Sequence, residues 1–222
     1  MKRIITFILM LIMISSVCVA AVPFEDLMIP DLDRNGKHKK DKDGNLMYVY
    51  HEATREILQA KGIGLIQGYK DGTFGPDDTV KNGEFIKMAM TLATNRSFDF
   101  SIMPECGVSN TDYAPYVSAA EMQNVVPKGK YTDENITEPI TRIEMICILS
   151  RIQINMKDIP QYREVNMNVY TDIDEIKDIT EKELVIHARR YELIEGMIEA
   201  KEIKPNENLT RAEAAVALMR IY

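Results

Sequence analysis

The amino-acid sequence predicts a mainly helical protein in which a helix–turn–helix unit occurs three times. Three observations carry that expectation. Glu84, Glu144 and Glu213 stand 60 and 69 residues apart, and each opens the same pattern. Counting from the Glu, positions +1, +4, +5 and +8 are Phe85, Met88, Ala89 and Leu92. In the second copy they are Met145, Ile148, Leu149 and Ile152, and in the third Ala214, Ala217, Leu218 and Ile221. This is the apolar stripe of an amphipathic helix, held in one phase relative to the Glu. Next, Thr141 and Thr210 lie three residues before Glu144 and Glu213, the spacing of a capping box. There the Thr hydroxyl accepts from the Glu amide and the Glu carboxylate accepts from the cap amide. Finally, each of these helices follows another helical stretch and a polar turn. Units of that size cannot bury a face alone, so three must pack together.

Taken in order, the chain opens with "MKRIITFILMLIMISSVCVAAV". Two cations, an uncharged apolar run and small residues at Ala20 and Ala21 make residues 1–21 a secretory signal peptide. Two other readings are a lipid-modified Cys18, although Val17 precedes it where Gly, Ala or Ser is usual, and an uncleaved anchor. All three export the rest of the chain; after cleavage no membrane partner is expected. Without Lys2 and Arg3 the cations fall from 27 to 25 against 34 anions, a net charge of −9. Such a chain is unsuited to nucleic acid, whose binding needs clustered Lys and Arg. Cys106 and Cys147 remain after export; they could pair in an oxidising exterior, or Cys147 could be a buried thiol in its apolar helical pattern.

"DLDRNGKHKKDKDGN" from Asp31 begins like a calcium loop with Asp31, Asp33, Asn35 and Gly36, but position twelve is Lys42 and three further Lys repel a cation. A solvated loop inserted at about 30–46 is the expected structure, and no metal or cofactor is expected anywhere. "YHEATREILQAKGI" follows as a helix, then the island "QGYKDGTFGPDD", where Asp71-Gly72 makes the reversal and Phe74 folds back over the hairpin. In the next helix, "TVKNGEFIKMAMTL", Lys81, Asn82 and Gly83 stand where the third copy has Thr, Arg and Ala. The capping box is lost, with Asn82 a candidate later cap. The second unit is "YAPYVSAAEMQNVV", a longer turn and "PITRIEMICILSRI". The third is "EKELVIHARRYELIEGM", a turn in which Ile203 and Pro205 match Phe74 and Pro76, and "NLTRAEAAVALMRIY".

At these residues the chain resembles the surface-layer homology family. "GIGLIQGYKDGTFGPDDTVKNGEF" is similar to the core of that module, "ITRIE" at 140–144 and "LTRAE" at 209–213 to its second half. "PFEDL", "VYTDI" and, more weakly, "GVSNT" are similar to its opening. The resemblance implies three modules in a pseudo-threefold arrangement around a central helical bundle: 22–97 with the inserted loop, 98–160 and 161–222. It implies a secreted protein held on a bacterial cell wall by a secondary cell-wall polysaccharide, often one bearing pyruvate ketals. It assigns polymer contacts to Arg142 and Arg211, with Thr141, Thr210, Gly68, Asp71, Gly72 and Lys81 around them. Glu84, Glu144 and Glu213 are expected to be structural caps.

The chemistry at the helix starts stands beside that resemblance. With Thr141 and Thr210 as caps, Arg142 and Arg211 take the first helical position, where the macrodipole disfavours a cation by about 0.3–1 kcal/mol. A carboxylate docked there would meet free amides, the positive dipole end and a guanidinium fork. The competing account is that each Arg pairs with a nearby acid and ties one unit to the next. The first copy lacks its Arg, so its groove should bind weakly unless Lys81 substitutes. No catalytic constellation is present: His38, His51 and His187 lack metal-ligand spacing, and neither a Gly-x-Ser-x-Gly nor a phosphate-loop ending occurs. The alternative function is an envelope adaptor whose degenerate modules bind another protein.

Overall fold

A computed structural model describes residues 24–95, 98–164, 169–195 and 201–222. The signal-peptide expectation for residues 1–21 lies outside the described residues. The described chain is mainly helical, with one small two-stranded sheet. Strands β1 (Met28–Pro30) and β2 (Tyr48–Tyr50) pair antiparallel, Met28 opposite Tyr50 and Pro30 opposite Tyr48. The helices are α1 (Thr54–Gly62), α2 (Asn82–Ala93), α3 (Ala114–Met122), α4 (Arg142–Met156), α5 (Ile179–Arg190) and α6 (Arg211–Ile221).

The three helices that follow the repeated turns, α2, α4 and α6, pack against one another. Their twelve stripe residues form the centre of the core, all buried except Met88, which is half-buried against it. α4 is buried nearly all round, from Ile143 through Gln153, as its continuous apolar sequence requires. Its Ser150 hydroxyl is satisfied by donating to the Leu184 carbonyl at 3.0 Å.

The outer helices interleave instead of closing hairpins. α1 packs on α6, α3 on α2 and α5 on α4, so each unit's first helix lies against the second helix of the unit before it in the ring. Phe74 folds back into a cluster that holds its own unit's first helix and also takes in the third unit. It stacks on Phe24 at 5.3 Å, in a cluster with Ile57, Ala60, Ala212 and Ala215 that joins the two ends of the chain. Small residues on α1 and α6 let the two helices approach closely.

A closed ring of backbone hydrogen bonds sits at the tops of the central helices. The Val80 amide donates to the Leu209 carbonyl at 3.0 Å, Leu209 to Ile140 at 2.9 Å, and Ile140 to Val80 at 2.9 Å. Each member stands four residues before its repeat Glu, so the ring has the symmetry of the sequence repeat. The turn of each unit is also pinned to its opening. The Asp26 carboxylate accepts from the Phe74 and Gly75 amides, and Asp172 from those of Ile203 and Lys204. The middle unit has Asn110 at that place, and there Asp133 in the turn accepts from the Ser109 amide instead.

The segment expected as a solvated loop at 30–46 is a built arm. Beyond β1 and β2 it makes two matching turns. Asp33 Oδ1 accepts from the amides of Asn35 and Lys37, and Asp41 Oδ1 from those of Asp43 and Asn45. Gly36 and Gly44 supply the positive φ of +73° and +89° that each turn needs. Asp31 pairs with Lys39 at 2.7 Å. These carboxylates serve the arm's own fold.

Candidate functional site between the units

The site is built where the start of each central helix meets the turn of a neighbouring unit. Thr141 and Thr210 form the capping boxes that their sequences predict. The Thr210 hydroxyl accepts from the Glu213 amide at 3.2 Å while Glu213 accepts from the Thr210 amide at 2.9 Å, and Thr141 with Glu144 repeats this at 3.4 and 3.2 Å. Glu84 keeps half of the box, accepting from the Lys81 amide at 3.1 Å. Asn82 is not the later cap, because it already lies inside α2, and its side-chain amide donates to the Asn135 carbonyl.

The helix starts do not offer the free amides that the sequence reading supposes. The Arg142 and Ile143 amides donate to the carbonyls of Glu207 and Pro205, those of Arg211 and Ala212 to Asp78 and Pro76, and those of Asn82 and Gly83 to Glu138 and Ile136. With the third amide taken by the cap, the first turn of α4 and of α6 is satisfied by protein. An anion near these helices must therefore meet side chains and the dipole, not bare N–H groups.

The two Arg side chains cross between units. The Arg142 guanidinium, 14% exposed, pairs with Glu213 of the third unit and lies 3.9 Å from Glu207. Arg211 donates to the carbonyls of Phe74 at 2.8 Å and Gln67 at 2.9 Å, and its guanidinium lies 4.7 and 4.8 Å from the rings of Phe74 and Tyr69. Tyr69 in turn donates to Asp78 at 2.8 Å. In the middle unit Lys130 from the turn pairs with Glu144 at 3.1 Å. Glu144 and Glu213 thus each cap a helix and hold a cation.

The remaining sequence-derived residues have turn roles. Gly68 lies under Phe24, where a Cβ would come within 2.2 Å of the ring and 2.5 Å of the Thr73 carbonyl. Asp71 accepts from the Thr73 amide and hydroxyl, which hold its carboxyl below the usual range, and Gly72 follows at φ +90°. Lys81 is exposed beside α2.

A groove of about 580 Å³ runs beside Arg211, lined by Gln67, Glu84, Lys87, Tyr113, Tyr116 and Arg211 among others. Lys87 lies 5.4 Å over the Tyr116 ring. Tyr113 packs on Gly83, where a Cβ would be 2.6 Å from the ring, so Gly stands there to admit the aromatic. Burial, and then Glu84, push the Tyr113 hydroxyl up, so it is a protonated donor at neutral pH. Lys87, Tyr113 and Tyr116 are the members that sequence reasoning missed. The available signal was Tyr113 and Tyr116 three apart at a helix start, readable as one face but not as a groove wall.

A family model described as S-layer homology domain matches residues 50–86 and 169–215. Over those two stretches the chain matches S-layer homology domains. The first match contains α1, the island and the start of α2, and the second runs through α5 into α6; the middle pair α3–α4 lies between them. Among curated proteins the chain is similar to amylopullulanase from Thermoanaerobacterium thermosulfurigenes, 28% identical over 166 residues. That stretch is 73% of this chain and 8% of the relative, so the similarity concerns a small part of that protein. S-layer homology domains are binding domains, not catalytic ones, and associate proteins with the bacterial cell surface by non-covalent attachment to wall polysaccharide. Among the described residues no helix is long and apolar enough to cross a membrane.

Proposed function

We propose that the chain is a non-covalent cell-wall anchor that binds an anionic, pyruvate-bearing wall polysaccharide in the groove beside Arg211. The observation that carries this is that two cations, Arg211 and Lys87, share one groove with the rings of Tyr113 and Tyr116. A guanidinium and an ammonium suit a carboxylate, and tyrosine faces suit a sugar ring. Glu84 and Asp112 in the same groove keep its charge balanced, so recognition depends on placement, not on an overall positive field.

The middle helical pair is in this reading a third module, because it supplies its share of the backbone ring and of the helix-start bonds. Arg142 then serves to lock the second unit to the third through Glu213. Polymer contacts of Gly68, Asp71 and Gly72 are indirect, through the turn whose Gln67 carbonyl holds Arg211.

Retention on purified wall polymer, before and after acid removal of pyruvate, tests the proposal. Wild type should lose retention when pyruvate is removed. Lys87→Ala, a half-buried residue outside the cross-unit bonds, should weaken binding at least about tenfold without unfolding the protein, since charged hydrogen bonds contribute about 1.5–3 kcal/mol. Equal retention of wild type, Lys87→Ala and Arg211→Ala would overturn it. Protein-free wall as bait separates this function from that of an adaptor for another envelope protein.

A further inference from the structure

The arm at residues 28–50 is unused by the groove and is the least covered part of the molecule. Of the thirteen large apolar side chains that are exposed among the described residues, seven belong to it, including Leu32, Leu46, Tyr48, Val49 and Tyr50. An apolar patch concentrated on a protruding ribbon marks a contact surface. The arm also differs in charge from the rest of the chain. It carries five cations and four anions, a net +1, where the remaining residues carry 22 and 30, a net −8. Asp33 and Asp41 are engaged by their turns and Asp31 by Lys39, while Arg34, Lys37, Lys40 and Lys42 form no ion pair among the described residues.

At the root of the arm, directly after β2, a cleft of about 360 Å³ opens beside α1 and α6. Its charged lining is Glu52, Glu56, Asp77, Glu195, Glu213 and one cation, Arg220, which donates to the Glu195 carbonyl at 3.3 Å; Glu213 is held by Arg142, and the other four carboxylates are in no ion pair among the described residues. A cationic, apolar arm and an acidic cleft thus adjoin on one surface. Adjoining patches of opposite charge on one chain are the ingredients of a self-complementary surface, in which two copies pair about a two-fold axis and the contact closes on itself.

We propose that this surface is a homodimer interface in which the arm of each copy lies against the acidic cleft of the other. The apolar side chains of the two arms supply the buried contact, and the Lys and Glu side chains set its register and orientation. The occupant is a second copy of this chain because the complementary charge lies on the chain itself.

Sedimentation of the full chain over about 1–100 µM, the range in which weak interfaces populate, is the test. The mass should double with concentration, and salt of about 1 M, where screening acts within ~3 Å, should raise the apparent dissociation constant at least about tenfold. Lys37→Glu/Lys40→Glu/Lys42→Glu should be monomeric, and so should Glu52→Lys/Glu56→Lys, each with unchanged circular dichroism. Mixing the two variants should restore a dimer, since both arm–cleft contacts are again of opposite charge. A chain that stays monomeric throughout, or a dimer indifferent to both reversals, would overturn the proposal. A monomer whose arm reversal instead lowers retention on protein-free wall would assign the arm to the polymer and overturn it equally.

Discussion

Arg142 shows how a residue that looks misplaced in sequence acquires its reason from a distant partner. A cation at the first helical position opposes the dipole, yet Glu213, 71 residues away, meets it across the unit boundary. Arg142→Ala strands the half-buried Glu213 and should cost about 1–3 kcal/mol in chemical denaturation. In a double-mutant cycle with Glu213→Ala the two losses should be clearly non-additive. His187 is the second residue of this kind. It is fully buried between α4 and α5; the Tyr162 amide donates to Nδ1 at 3.2 Å, so Nε2 carries the proton and faces Gln153 Oε1 at 3.1 Å. Burial lowers its affinity for a proton from the ordinary 6.5. The unfolded chain therefore binds the extra proton first, so the stability due to neutral His187 is complete above about pH 6.5 and is lost as pH falls through the lowered folded value. His187→Gln should flatten the stability profile between about pH 6.5 and 5. The sequence identified His187 as lying on a helix; only packing decided that it is buried and neutral. Cys147 behaves alike: burial pushes its thiol up to about 12, and both it and Cys106 are free thiols in this structure.

Among the elements, the central helices were the most legible, because the stripe and the capping box are local signals. Thr210→Ala should lower stability by about 1 kcal/mol in thermal or denaturant unfolding. The start of α2 is the informative exception. Lys81 has the same extended backbone as the two Thr caps, φ −82° and ψ 154° against −83° and 163° at Thr210, but offers no side-chain acceptor. Lys81→Thr should complete the box with Glu84 and stabilise the protein by about 0.5–1 kcal/mol. The arm was illegible for the opposite reason. Its polar, Lys-rich sequence reads as loop, and the paired Asp–Gly turns that make it a ribbon are short-range features which the calcium-loop comparison obscured.

For the whole molecule, the decisive feature is that no unit is closed on itself. α1 packs on α6, and the three-membered backbone ring requires Val80, Ile140 and Leu209 together. The described structure should therefore unfold as one cooperative transition, with coincident near- and far-ultraviolet signals. A chain ending at Asn206 lacks α6 and one ring member, so it should lose hydrogen-exchange protection in α1 as well as near the missing helix. Independent unfolding of the first unit would contradict this.

By itself the sequence determined the helical class, the threefold repetition, the phase of the buried stripes and the capping residues, since each is written in side chains within one or two turns of each other. Tertiary structure alone decided which helix lies on which, that the helix-start amides are spent on a neighbour's carbonyls, and that Arg211, Lys87, Tyr113 and Tyr116 share one groove. Those are contacts between surfaces brought together only when three incomplete units bury one another, and no local spacing specifies them.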